Sequence, residues 1–171
     1  MTKSLGHSPA SAGATTQRAG VRRGRESVGH ERVAARPAEG GRRALRLKRA
    51  YDPPTRSDGR RILVDRLWPR GLSTEKAALD GWMTDVAPST KLRRWFEHDA
   101  EKWPEFQRRY KQELRGRDDL VRELAELASR GPLTLVFGAR DAARNDAVVL
   151  AAVIRARMQR ATAPPHGEES R

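Results

Sequence analysis

The chain is 171 residues long, with 37% hydrophobic and 33% charged residues. This length accommodates one domain of ordinary size together with a tail, and the hydrophobic content supports a core over part of the chain. Cysteine is absent, which excludes disulfides, thiol catalysis and cysteine-ligated metal centres. No apolar run reaches 18 residues, so the sequence predicts neither a transmembrane helix nor a membrane partner.

The sequence is strongly basic, with a formal net charge of +13 and 29 arginines against six lysines. Residues 1–45 carry nine basic and three acidic groups, whereas residues 46–160 carry 25 and 17. A basic chain attracts polyanions, whether nucleic acid, a membrane surface or phosphate-bearing metabolites. We therefore expect an anionic partner.

Residues 1–45 are rich in Gly, Ala, Ser, Thr and Arg, contain no aromatic residue and show no apolar periodicity. Such a segment buries too little surface to offset its ordering entropy, and it is predicted to be a disordered basic extension. Three alternatives stay open: a basic arm that touches nucleic acid, an organellar transit peptide, and a true start near Val33 or later. Residues 46–160 are predicted to fold, and residues 161–171 to form a flexible tail.

Two short strands are predicted at the start of the folded region. Residues 45–51 alternate apolar and basic side chains, as a half-buried strand does, and prolines in residues 52–54 stop the ladder. Residues 62–64 form a short β-branched run, which indicates a second, more buried strand. A polar loop, residues 55–59, separates the two, and a further loop, residues 65–71, follows the second.

Helices are predicted in the middle of the region. A short helix capped by Ser73 extends from Thr74 to about Asp80, and another follows Thr90. Two amphipathic helices come next, one beginning at Asp99 and one capped by Asp118 or Asp119. Their core faces carry Trp103, Phe106, Tyr110 and Leu114 in the first, and Leu120, Val121, Leu124, Leu127 and Ala128 in the second.

The strongest strand pattern is residues 133–137, which are nearly all apolar, as in a strand covered on both faces. Residues 138–141 form a tight exit, and a final helix is predicted from about Ala142. This order of elements predicts a single α/β domain, with a small, mainly parallel sheet of about three to four strands flanked by helices.

The carboxyl ends of the predicted strands carry the residues that favour a binding site. Ligands of open parallel sheets bind outside these ends, where arginines, carboxylates and the start of the last helix would converge on an anion or phosphate. The predicted ligand-binding residues are Tyr51, Arg66, Arg70, Gly138, Arg140 and Asn145, and the predicted catalytic residues are Asp65, His98 and Asp141.

In this hypothesis the three arginines hold the anionic group, and Asp65, Asp141 or His98 transfers a proton. Alternatively, the two aspartates bind a metal ion. A purely structural reading stays open for each residue: Asp-Arg pairs at loop starts are commonly ion pairs, Asp141 would be a helix cap, Gly138 a turn, and His98 a partner of a loop carbonyl.

Motifs that are absent from the sequence, and the few histidines, narrow the kinds of site that the chain could carry. The segment that begins at Gly138 matches neither a Walker loop nor a dinucleotide fingerprint, and no nucleophile-elbow pattern occurs. Of the four histidines only His98 lies in the patterned region, which disfavours a multi-histidine metal site, and no cofactor or oligomeric state is specified. Four tryptophans within 36 residues indicate core or lid packing, with a base-stacking platform as the alternative.

In order along residues 46–157, several segments resemble the domain-of-unknown-function family 488, in its YeaO-like branch. The segments are YDPP (51–54), VDRLWPRG (64–71), APST (87–90), Leu92-Arg93, Trp95-Phe96, His98-Asp99, Ala139-Arg140-Asp141, Asn145 and AVVL (147–150). The resemblance implies a compact cytoplasmic α/β domain and no established activity.

The chain departs from the family pattern near the last strand. Members often carry Tyr-Ala or Tyr-Ser where this chain has Phe137 and Gly138, and a histidine beside the residue that matches Asn145. Here Arg144 and Asp146 flank that asparagine. A mechanism that needs a hydroxyl or an imidazole at this helix start is therefore not supported.

Three functional hypotheses follow. The first is a small anionic or phosphorylated ligand bound at the carboxyl edge of the sheet, with or without enzymatic activity. The second is a nucleic-acid-associated protein whose basic core and N-terminal arm contact phosphates, although no helix-turn-helix, RNP motif or zinc finger is visible. The third is a partner-binding module whose tryptophans form an interface.

Overall fold

The computed structural model of the chain describes residues 44–162. Apart from a residue or two at their inner ends, the predicted extension, 1–45, and the predicted tail, 161–171, lie outside this range. Within it, a sheet of four strands is ordered β1-β4-β2-β3, and every neighbouring pair is parallel. The strands are β1 (Leu45–Arg49), β2 (Arg60–Leu63), β3 (Gly81–Trp82) and β4 (Leu133–Phe137). The predicted α/β fold is confirmed.

Helices cover one face of the sheet. The core on this side includes Leu133, Leu135 and Phe137 of β4, which alternate with Thr134 and Val136 on the opposite face, as the two-residue period of a strand requires. The α-helices of the described range are α1 (Thr74–Ala77), α2 (Thr90–Phe96), α3 (Trp103–Arg115), α4 (Asp118–Arg130) and α5 (Asp146–Thr162). None of them is long and apolar enough to cross a membrane.

The opposite face is covered by the chain between β2 and β3. Trp68 and Trp82 pack edge to face there, with ring centroids 5.5 Å apart, over Leu63 and Val136. The indole of Trp68 donates to the carbonyl oxygen of Leu72 at 2.7 Å. These two tryptophans therefore serve the core, as the sequence indicates.

A buried ion cluster lies below the same face. The Asp58 carboxylate accepts from Lys48 Nζ at 3.0 Å and from Arg61 Nη1, and Thr55 Oγ1 donates to it at 2.6 Å. Burial raises the pKa of Asp58, but these donors outweigh burial and hold it well below its usual value. Thr134 Oγ1 donates to the Asp58 carbonyl at 2.7 Å, so the cluster connects β1, β2 and β4.

Near α1 the structure differs from the prediction in the end of the helix and in an additional strand. The helix ends at Ala77 instead of near Asp80, because Ala78 takes a left-handed conformation (φ 45°) whose N–H donates to Thr74 O. The chain then forms the two-residue strand β3, which was not predicted. A strand this short shows no periodicity, and its pairing with β2 is a long-range contact.

The starts of the later helices also differ. Asp99 caps a 3-10 turn (Ala100–Lys102) and α3 begins only at Trp103. Asp118 is the first residue of α4, so neither predicted aspartate is its cap. The last helix, α5, begins four residues after Ala142, because Asp141 Oδ1 accepts from the N–H groups of residues 143 and 144 and holds a separate turn.

Candidate functional site

A cleft of about 510 Å³ opens at the carboxyl ends of the two central strands, β2 and β4. Its lining brings together most of the residues that the sequence predicts for a site: Tyr51, Asp65, Arg66, Arg70, His98, Gly138, Arg140 and Asn145. These residues come from three strand ends and from the segment before α3. Because all strands are parallel, their carboxyl ends meet at one edge of the sheet.

Asp65 connects the two central strands at the floor of the cleft. Its Oδ2 accepts from Gly138 N at 2.7 Å, and its carbonyl accepts from Trp82 Nε1 at 2.7 Å. A Cβ atom at position 138 would lie 3.0 Å from the same Oδ2 and 3.5 Å from the ring of Pro69. A side chain here would crowd the Asp65 carboxylate, so glycine suits this close approach, and its φ angle is not the reason.

Asp146, the first residue of α5, is a second carboxyl group at the floor. Burial, together with the charge of Asp65, raises its pKa to about 7, against the opposing effects of backbone N–H groups and Arg93. Burial also raises the pKa of Asp65, opposed by the Gly138 N–H and by the charge of His98. Near neutral pH the Asp146 carboxyl group is therefore partly protonated, and it can donate as well as accept a hydrogen bond.

The arginines that border the cleft differ in whether their guanidinium groups are already hydrogen-bonded. Arg66 is held by backbone carbonyls, with Nε 3.2 Å from Pro88 O and Nη2 3.4 Å from Ala87 O. The side chains of Arg70 and Arg140 are exposed and make no hydrogen bond or ion pair with another residue of the described range. Positive charge is thus available at the mouth, where an anion could enter.

Tyr51 forms part of the rim. Its hydroxyl donates to the carbonyl oxygen of Arg70 at 3.0 Å, and the Arg49 guanidinium lies 5.5 Å from its ring centroid. Arg49 Nε in turn donates to Ala139 O at 3.1 Å. The aromatic ring is therefore held in place by contacts to the loops that follow β2 and β4.

His98 lies on the opposite side of the cleft, before α3. It and Glu97 both have positive φ angles, 58° and 46°, which is uncommon for two consecutive non-glycine residues. The imidazole is exposed and meets the edge of Phe96 at 5.7 Å between ring centroids. This backbone places the imidazole in the cleft lining, where its charge acts on Asp65, and strain of this kind is frequent at functional sites.

Two predicted site residues have local structural partners. Asp141 does not line the cleft, because its carboxylate holds the turn before α5 and also pairs with Arg144 at 2.8 Å. Asn145 is buried and caps α5: its Oδ1 accepts from Val148 N at 3.1 Å, and its Nδ2 donates to Asp141 O at 2.8 Å. Asn145 reaches the cleft with these polar atoms already occupied.

Sequence reasoning missed Asp146 and Arg93, which both line the cleft. A signal existed for Asp146, since it is an acid just after the strongest strand and next to the helix cap. Arg93 belongs to a segment that carries the family resemblance, but no local pattern places it at the cleft, because it lies on a helix far from any strand end. Its position depends on how α2 packs against α3, which local patterns do not reveal.

Comparisons with known proteins find sequence relatives of this chain. "Uncharacterized protein YeaO" of Escherichia coli (strain K12) is 43% identical over 107 residues, 63% of this chain and 93% of that protein. "Uncharacterized protein Mb3100c" of Mycobacterium bovis is 40% identical over 113 residues, 66% of this chain and 95% of that protein. No solved structure matches the chain. A family model described as "Inactive DUF488-N3 subclade" matches residues 44–170, and the chain belongs to this family.

Proposed function

We propose that the cleft binds a small anionic ligand, with a phosphate or a similar group held at its mouth. The observation that carries the proposal is the pair of exposed guanidinium groups, Arg70 and Arg140, which have no partner in the described range and border one cleft. Guanidinium groups match phosphate and carboxylate oxygens with paired N–H donors. Arg66 and Arg93 add positive charge along the same wall.

Binding without turnover is the form of the proposal that the comparisons favour. The carboxyl pair and His98 supply groups able to move a proton, but the family is described as inactive. Asp141, which the sequence suggests as a catalytic group, does not line the cleft. We therefore expect the ligand to be released chemically unchanged.

The test is calorimetric titration of the full chain with inorganic phosphate and pyrophosphate. Arg70→Ala and Arg140→Ala should each weaken binding about tenfold or more, because a charged hydrogen bond contributes about 1.5–3 kcal/mol. Their unfolding temperature should stay unchanged, since neither side chain has a partner to lose. Arg94→Ala is the matched control, an exposed arginine of α2 that does not line the cleft. Equal losses in all three variants would contradict the site.

A second candidate function, contact with a nucleic-acid backbone, is favoured by a different surface. A groove of about 340 Å³ between α3, α4 and α5 is lined by four basic residues and one acidic residue. They are Lys111, Arg115, Arg157, Arg160 and Asp118, of which only Arg157 and Asp118 form an ion pair within the described range.

Titration of labelled single-stranded DNA with the full chain at several salt concentrations tests this candidate. Affinity should fall linearly in log salt, with a slope of about −0.7 per phosphate contacted. Replacing Lys111, Arg115 and Arg160 with glutamine should make that slope shallower. An unchanged slope would exclude the groove as the contact surface.

A further inference from the structure

The two large hydrophobic side chains most exposed in the described range both lie at the cleft. Tyr51 is 46% exposed and Leu67 is 57% exposed, and both belong to its lining. Single exposed hydrophobic residues are common and need no explanation, but two that line one cleft offer apolar surface to a ligand there. An inorganic anion alone would leave both uncovered.

The ring of Tyr51 is held before any ligand arrives. One end is anchored by the bond from its hydroxyl to Arg70 O, and Arg49 lies against the ring, itself anchored to Ala139 O. A fixed aromatic ring loses little entropy when a planar group stacks on it. Rigidity of this kind favours binding because the ordering cost is already met.

The aromatic ring and the anion-binding arginines form one unit. The Tyr51 hydroxyl donates a hydrogen bond to the backbone carbonyl of Arg70. The Arg49 guanidinium donates one to the carbonyl of Ala139, the residue before Arg140. A ligand that stacks on Tyr51 therefore has two guanidinium groups in the adjoining loops. At the floor, the carboxyl groups of Asp65 and Asp146 can accept hydrogen bonds from N–H groups of a planar ring.

We propose that the anionic ligand is a free nucleoside monophosphate, with its base against Tyr51 and Leu67 and its phosphate on Arg70 and Arg140. The inference rests on the proposed function and adds the chemical class of the ligand. A cleft of about 510 Å³ is within the usual size range of small-molecule sites.

The experiment compares AMP, GMP, CMP and UMP with ribose 5-phosphate and adenosine by calorimetry on the full chain. At least one nucleotide should bind about fivefold or more tighter than ribose 5-phosphate, the lower end of what stacking on an aromatic side chain contributes. Tyr51→Ala should remove this advantage. Tyr51→Phe, which keeps the ring and loses only the bond to Arg70 O, should retain most of it, and Leu67→Ala should reduce it.

The outcomes separate the two proposals. Equal affinity for ribose 5-phosphate and every nucleotide would overturn the nucleotide assignment and leave the anion site standing. Absence of binding by any phosphate compound would overturn both. If adenosine bound as tightly as AMP, the cleft would not recognise the phosphate, and the anion site would be overturned. Tighter binding of a 5′-phosphorylated oligonucleotide than of AMP would assign the cleft to the end of a nucleic acid instead.

Discussion

At the scale of single residues, the chemistry of the cleft depends on the protons that Asp65 and Asp146 hold. Neither carboxylate forms an ion pair with a residue of the described range, and burial raises the pKa of both. Arg93 opposes the shift at Asp146, and His98 opposes it at Asp65. A proton on Asp146 reduces the repulsion between the two buried acids.

The variant Asp146→Asn tests whether Asp146 is protonated in the folded state. In the folded state the pKa of Asp146 is about 7, whereas an unfolded aspartate has a pKa near 3.9. The folded state therefore keeps this proton to a higher pH than the unfolded state does. The stability that the proton contributes is present at low pH and is lost as the pH rises from about 4 to about 7. Relative to the wild type, Asp146→Asn should gain up to about 4 kcal/mol over that window, since the folded pKa lies about three units above the unfolded value and one pKa unit corresponds to about 1.4 kcal/mol.

The measurement is urea unfolding at pH 4.5, 5.5, 6.5 and 7.5. Asp119→Asn is the matched control, because Asp119 is also an acid in the first turn of a helix but is exposed. This control should follow the wild type at each pH. The stability difference between Asp146→Asn and the wild type should therefore change with pH. A difference that is the same at every pH would show that the folded and unfolded states bind the Asp146 proton equally.

At the scale of elements, the start of α5 decides where the floor carboxyl lies. The turn held by Asp141 delays the helix, and the Asn145 cap places Asp146 in the first position. A carboxyl group at a helix N-terminus is normally stabilised as the anion. Here burial and the charge of Asp65 outweigh that effect.

Asn145→Ala should lower the free energy of unfolding by about 1–2 kcal/mol, because the cap at Val148 N is lost and Asp141 O loses its donor. Asn145→Ser keeps a cap oxygen and should lose less. Both are measured by urea unfolding. Ser73→Ala, which removes the cap of the four-residue α1 at its exposed start, is the control and should cost less. A fully stable Asn145→Ala variant would show that this cap contributes little to the free energy of unfolding.

At the scale of the whole molecule, the strand order creates the site. β4 lies between β1 and β2 although it is last in sequence, and this insertion brings Gly138 against Asp65, 73 residues earlier. Positive charge is then divided between two surfaces. Both α5 and α3 begin near the cleft and carry the basic groove on their later turns, so a small anion and a polyanion would meet different ends of the same helices.

Much of this architecture could be predicted from local patterns. The run of five apolar residues in β4 and the helical spacing of Phe106, Tyr110 and Leu114 depend only on side-chain period, and the structure confirms both. The parallel sheet then implies that polar residues at strand ends meet at one edge. Family membership follows from motifs such as VDRLWPRG at 64–71, and the family comparison confirms it.

Local patterns by themselves thus determined the fold class, the family and the edge of the sheet where the cleft opens, since periodicity and turn signals are properties of neighbouring residues. Only the tertiary structure decided which side chains share the cleft. It pairs Asp146 with Asp65, adds Arg93, engages Arg66 with carbonyls and keeps Asp141 in a local turn. These outcomes depend on strand order and helix packing, which are set by contacts between distant residues and leave no local pattern in the chain.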